Sequence, residues 1–180
     1  MEYQFPFGYK ELWGLAYRTD YDLKQHIKHS KKDLFIVDPY TQKKIVPHVI
    51  EPAVGIDRLF LMVLSDAYKE EEGRTVLKIH PKIAPYKVAV FPLLANKEEL
   101  VSKAREIYNT LNKKFTVLFD DRGNIGKRYL YQDEIGTPWC VTIDFDSLED
   151  NAVTIRDRDT TKQERVSISE LANYFSDKLR

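Results

Sequence analysis

Residues 88–119 read VAVFPLLANKEELVSKAREIYNTLNKKFTVLF, and this stretch decides the fold class. VAVFPLL (88–94) is a short apolar run of the buried-strand kind. Asn96 with Glu99 three residues on has capping-box spacing, which predicts a helix opening there and running to about residue 111. FTVLF (115–119) is the next strand. The alternation continues toward the C-terminus. DDRGN predicts a turn and IGKRYLYQDEIG a polar helix stopped by Gly136. Strands follow over 138–145 and 152–158, then a last helix over 167–179, with Ser167 and Glu170 again at capping-box spacing. Strands separated by helices predict an α/β layer with a partly parallel sheet.

Toward the N-terminus the pattern changes. KEEEGRTVLKIHPKIAP (69–85) is charged and broken by Gly73, Pro81 and Pro85, so the domain boundary is placed there, dividing the chain into residues 1–84 and 85–180. Ahead of it, VIEPAVGIDRLFLMVL (49–64) carries Ile56, Leu59, Phe60, Val63, Leu64 and Ala67 on one helical face. Arg58 breaks a rule there. A cation in a first helical turn faces the positive end of the dipole, whereas Asp57 beside it is well placed. Residues 3–18 are aromatic-rich and interrupted by Pro6, Gly8 and Gly14, predicting short strands and turns. Residues 20–30 predict a short helix capped by Asp20, and residues 33–50 a hairpin turning through DPYTQKK.

Composition narrows the function classes. The chain has 180 residues, 43% hydrophobic, and 28 basic against 28 acidic side chains, which describes a globular protein rather than a disordered tail. Zero net charge gives no overall attraction to nucleic acid, so an RNA partner needs a local basic patch. One cysteine, Cys140, excludes an internal disulfide and suits a reducing compartment. No apolar run is long enough to span a bilayer and no signal-peptide layout is present, which points to a cytoplasmic protein with no membrane partner.

Other candidates read plainly. His26 and His29 lack a third nearby ligand and read as a solvated pair. GNIGKR (123–128) lacks the spacing of a phosphate loop and reads as a turn with a helix start. Cys140, in an apolar strand, reads as a packed thiol. Lys127, Arg128, Arg156, Arg158, Lys162 and Arg165, near Tyr129 and Tyr131, predict an RNA-facing patch, with Arg128, Arg156, Arg158 and Lys162 as its leading contacts. The alternative is a salt-bridged surface, since Asp157, Asp159 and Glu164 interleave with them.

EPAVGIDRLFL resembles motif 3 of the class II aminoacyl-tRNA synthetases. Its Glu-Pro start, with FPFGYKELWGLAYRTDYDL upstream, is similar to the glycyl-tRNA synthetases in particular. GKRYLYQDEIGTPWCVTIDF and DNAVTIRDRDTTKQERV resemble the anticodon-binding domain of those enzymes. The resemblance implies part of an antiparallel class II catalytic sheet in residues 1–84, followed by a mixed-sheet α/β anticodon-binding domain, α+β overall. It implies a ligase that attaches glycine to tRNA(Gly) with ATP and Mg2+, dimeric in its full-length form. Arg58 would then pack on adenine and reach a phosphate, with Glu11, Leu12, Gly55, Ile56 and Asp57 also at the ATP site and Glu11 beside the magnesium. Glu51 would hold the glycine ammonium, with Arg18, Pro52, Ala53, Val54 and Gly55 around the amino acid. No residue is implied as a covalent nucleophile. Two departures stand out. Motifs 1 and 2 are absent, so the chain is expected to be a C-terminal portion that is inactive alone and exposes apolar surface over residues 1–70. Ala53 stands where the glycyl enzymes usually carry serine. The alternative is a non-catalytic nucleic-acid-binding accessory protein with a synthetase-like fold.

Overall fold

The computed structural model describes residues 1–180. They form two compact units, Met1–Ser65 and Asp66–Arg180. In the first, β1 (Glu2–Phe5) and β2 (Gly8–Glu11) make a hairpin, and β3 (Trp13–Thr19) runs into α1 (Tyr21–Ser30). β4 (Ile36–Val37) and β5 (Lys44–Ile45) close the expected hairpin, its turn held by the Asp38 carboxylate accepting the backbone N–H groups of Tyr40 and Thr41 at 2.8 and 2.7 Å. β6 (Val49–Val54) returns to pair antiparallel with β3, and α2 begins at Ile56 and runs to Ala67. Phe5 is the one buried hydrophobic residue of this unit, ringed by Tyr3 and Phe7. Leu15, Tyr17, Ile50, Ile56 and Phe60 are all more than 60% exposed. Three separate two-stranded ladders and two helices give these apolar side chains little to pack against, and such ribbons are marginal by themselves.

The second unit is a layered α/β fold. After the hairpin β7 (Tyr68–Glu71) and β8 (Arg74–Leu77) come β9 (Val88–Pro92), α3 (Glu98–Leu111), β10 (Val117–Phe119), α4 (Ile125–Ile135), β11 (Trp139–Ile143), α5 (Asp146–Asp150), β12 (Ala152–Asp157), β13 (Gln163–Ser167), a 3-10 turn (Ile168–Glu170) and α6 (Leu171–Lys178). The sheet order is β10-β9-β11-β12-β13, parallel among the first three strands and antiparallel thereafter. The two-residue period of β9 sorts its side chains between two cores. Val88 and Val90 join Leu100, Ala104 and Ile107 of α3 and Phe175 of α6. Ala89 and Phe91 pack with Cys140 and Tyr129 on the α4 side. Cys140 is buried, and burial pushes its thiol pKa upward.

Some expectations need correction. α3 starts at Glu98 with Lys97 at its cap and no side-chain cap, so Asn96 and Glu99 form no capping box. Residues 163–167 are an edge strand, and the last helix starts only at Leu171. The Ser167 hydroxyl pairs with Ser169 instead of capping. The charged stretch at 68–77 folds as a hairpin around Gly73 (φ 77°). It packs on α4 and belongs with it to the second compact unit.

Candidate functional site

In the first unit the β3–β6 register sets Glu51 and Ala53 on one small-residue face, with Pro52 and Val54 on the other. Gly14 faces Ala53 and Ala16 faces Glu51, leaving a floor without bulky side chains between the strands. The register shifts between Tyr17 and Thr19, so Arg18 is the extra residue, and bulges of this kind re-aim a side chain. Its guanidinium forms a two-pronged pair with Asp22 at 2.8 Å on each arm and lies 3.7 Å from the Glu51 carboxylate. The Asp22 hydrogen bond and charge, with that of Glu51, hold the Arg18 pKa above its ordinary value.

Arg58 now has a local account. Its Nη1 donates to the Glu11 backbone carbonyl at 2.6 Å and lies 4.0 Å from the Glu11 carboxylate, while its stem covers Gly55. These contacts offset the misplaced charge at the start of α2. The structure thus brings together Glu11 with Arg58, and Arg18 with Glu51. The donor types suit a phosphate, a magnesium ion and a zwitterionic amino acid, but both pairs are exposed and line none of the described cavities. Leu12, Pro52, Val54, Gly55, Ile56 and Asp57 lie on the same strands, helix and connections.

Of the expected RNA-facing set in the second unit, three of the four members are buried. Arg128 is 1% exposed and donates to the carbonyls of Pro92 and Gly123, at 2.5 and 3.2 Å. Desolvation pulls its pKa down, and its Nε has no partner. Arg156 makes a two-pronged pair with the fully buried Asp133, at 2.9 Å on each arm, and lies over the Tyr129 ring. Burial opposes the Arg156 charge, yet the Asp133 pair outweighs it and holds the pKa up. Arg158 donates to Ile79 and Gly136 carbonyls and to Asp159. A buried guanidinium whose donors are spent on the chain's own acceptors is no phosphate contact. Arg74, on β8, joins Asp133 at 2.9 Å and Glu71, so the network ties the hairpin to α4 and β12.

Lys162 is exposed but sits at the opposite end of the sheet from the start of α4. It follows Asp157, which pairs with Trp139 at the start of β11, whereas α4 begins at the strands' C-terminal ends. At that end β9 connects through α3 to β10 on one side, and β10 connects through α4 to β11 on the other. Open α/β sheets bind ligands in the crevice outside such a reversal. Two cavities open there. The larger, about 640 Å³, is lined by Glu98, Glu99 and Glu106 against Lys97 and Lys103, so it offers a polyanion no net positive charge. The smaller, about 470 Å³, is lined by Asp120, Arg122, Gly123, Lys127 and Tyr131. Its loop is shaped by Gly123 (φ 63°) and by Asn124, whose side chain accepts the Lys127 N–H at 2.9 Å and starts α4. Lys127 and Tyr131, one turn apart, are exposed, as is Arg122.

Residues 87–178 match the family described as Anticodon binding domain, half of the chain. The chain belongs to the anticodon-binding-domain family. It is also 55% identical to the glycine–tRNA ligase of Clostridium tetani over 184 aligned positions, 99% of this chain and 39% of that protein. The glycine–tRNA ligase of Caldanaerobacter subterraneus subsp. tengcongensis is 55% identical over 100% of this chain and 39% of its own length. That of a Bacillus cereus strain is 52% identical over 100% and 40%. The chain thus spans about two fifths of these relatives. Within the anticodon-binding domain, Tyr131 and Lys127 lie on the expected polar helix, and Tyr131 was already singled out by its place beside the basic run. Arg122 lies in DDRGN, whose composition signals a turn and gives no local mark of its place on the cavity wall. The hairpin carrying Arg74 precedes the matched residues, although its guanidinium is built into the domain's buried ion network.

Proposed function

We propose that this chain binds the anticodon arm of a glycine tRNA on the end of the sheet where β9, β10 and β11 finish, as part of a glycine–tRNA ligase. One observation carries the reading: within the anticodon-binding domain, the cavity where β10 leads into α4, at the same end of the sheet as the strand reversal, presents Arg122, Lys127 and an exposed Tyr131 together. Unstacked loop bases are held by aromatic stacking and by hydrogen bonds to their edges, with cations on the phosphates. In a titration of the full chain with an anticodon stem–loop, Tyr131→Ala is expected to lose about 1–3 kcal/mol of stacking. Lys127→Ala is expected to weaken binding for all sequences and flatten the salt slope by about one. Lys162→Ala, at the opposite end, is expected to change nothing. Salt-independent binding, or loss on Lys162→Ala equal to that on Lys127→Ala, would refute this placement.

The first unit, in this reading, contributes to ATP-dependent glycylation in the longer protein. Arg58 would meet a phosphate and Glu11 the accompanying Mg2+, an ion held by few protein carboxylates. Glu51 would take the glycine ammonium and Arg18 its carboxylate, over the Gly14, Ala16 and Ala53 floor. Bound ATP supplies the activated phosphoryl chemistry, and these side chains bind and orient. Because the pairs are open to water, this chain alone is expected to give no glycine-dependent pyrophosphate exchange. Turnover above a no-protein control would show that the chain is self-sufficient.

A further inference from the structure

We propose that Asp120 is a specificity residue that accepts the exocyclic amine of a cytosine, and that Arg122 guards it until RNA arrives. The inference rests on the anticodon-arm reading above. Asp120 is 5% exposed, yet it lines the 470 Å³ cavity. Its hydrogen-bond donors all come from one residue. Arg122 gives its backbone N–H and Nε to Oδ1, each at 3.0 Å, and only a 3.3 Å contact from Nη2 reaches Oδ2. Oδ2 therefore has acceptor capacity to spare. The Arg122 side chain is 87% exposed, so its pair with Asp120 is a surface pair of low net worth and is released cheaply to a phosphate. The buried Arg128 guanidinium acts on the same carboxylate and remains to neutralise it. Burial opposes ionisation of Asp120, but the Arg122 hydrogen bonds and the two arginine charges outweigh it and hold the pKa below the ordinary carboxylate value.

An ionised carboxylate accepts and cannot donate. It favours a base edge carrying an amine and repels one carrying a carbonyl, which separates cytosine, with its N4 amine, from uracil, with O4. All glycine codons begin with two guanines, so the cognate anticodon presents two adjacent cytosines. Tyr131, on the same cavity wall, offers a face for the base and Lys127 a charge for its phosphate.

The test uses the full chain and anticodon stem–loops in which each of the two cytosines is replaced in turn by uridine or by the 2-pyrimidinone riboside, which lacks any 4-substituent. At one position, affinity is expected to fall in the order cytosine, pyrimidinone, uridine, with about tenfold or more between the extremes. Asp120→Asn offers both an oxygen and an amide N–H, so the cytosine-to-uridine ratio is expected to collapse toward one. That ratio, read on one preparation, cancels any loss of folded protein. Arg122→Ala is expected to weaken all RNAs while keeping the ratio. Equal binding of cytosine and uridine at both positions overturns the proposal, as does pyrimidinone binding as well as cytosine. An unchanged ratio in Asp120→Asn overturns it too, with stem–loop binding itself intact. No binding of any stem–loop overturns the anticodon-arm reading together with it.

Discussion

Asp133 shows how much one side chain organises in the second unit. It is fully buried and accepts from Arg156 on both oxygens and from Arg74 on one. Removing it leaves the buried Arg156 guanidinium without a carboxylate, while Arg74 keeps Glu71, and breaking a buried pair in this way costs about 3–5 kcal/mol. Asp133→Ala is therefore expected to lower the denaturation free energy by that amount, measured by urea titration. A loss under about 1 kcal/mol would put the pair in the class of surface bridges. Gly136 gives a second test. It ends α4 at φ 87°, and a Cβ there would lie 2.9 Å from the Leu77 carbonyl. Gly136→Ala is expected to destabilise by more than the roughly 1 kcal/mol of a helix propensity change, since strain and clash add. These residues also explain why the arginine cluster misled. Arg128, Arg156 and Arg158 are spaced like a basic patch, but their partners, Pro92, Asp133 and Ile79, are far away in the chain, and nothing local in the sequence announces them.

Among the elements, β13 is held to the sheet by charge. The Arg165 guanidinium spans Asp144 and Asp150, with contacts of 2.8 and 2.7 Å, and joins this edge strand to the connection after β11 and to α5. Burial opposes the Asp144 charge, but hydrogen bonds from Ser147 and Arg165 outweigh it and hold its pKa down. Asp150 is likewise held down by the Ala152 N–H and Arg165. A carboxylate depressed in the folded state contributes stability in full above its unfolded pKa, near 4, and loses it as pH falls through the folded value. Amide exchange in 163–167 is expected to accelerate below about pH 4 relative to β9, and Arg165→Ala to remove that pH dependence. Equal acceleration in both strands would place the acid effect elsewhere. The strand itself was illegible in the sequence. QERVS is polar and short, and its pairing with β12 comes from the ladder, while Ser167 and Glu170 imitated a helix cap. Apolar runs such as VAVFPLL and stop signals such as Gly136 were legible because burial and positive φ leave compositional marks.

At the scale of the whole chain the two units differ in how they are stabilised. The second has two cores flanking a five-stranded sheet, whereas Phe5 alone is a buried hydrophobic of the first. Exchange protection in β3, β6 and the start of α2 is accordingly expected to be lost at low denaturant, in a step separate from the main transition of β9 and β11. A single coincident transition would refute it. The short strands over residues 3–18 were readable from composition, but the pairing of β3 with β6 and the exposure of its small-residue face were not local properties. The exposure depends on what is available to pack against the ladder. Likewise, which end of the sheet carries the cavity of Arg122, Lys127 and Tyr131 follows from strand order, which no short motif encodes.

Cys140 then acquires a practical meaning. The only thiol of the chain lies in β11 between a helix and the centre of the sheet, with its ionisation pushed up by burial. A disulfide reagent needs the thiolate and access to it, so modification waits for the second unit to open. The labelling rate is a clock for that opening, one that needs no added probe. With the unit closed nearly all the time, the rate is expected to follow the equilibrium population of the open form. It should quicken in Asp133→Ala by the same factor that urea titration assigns to the lost stability, and slow when a bound stem–loop favours the closed unit.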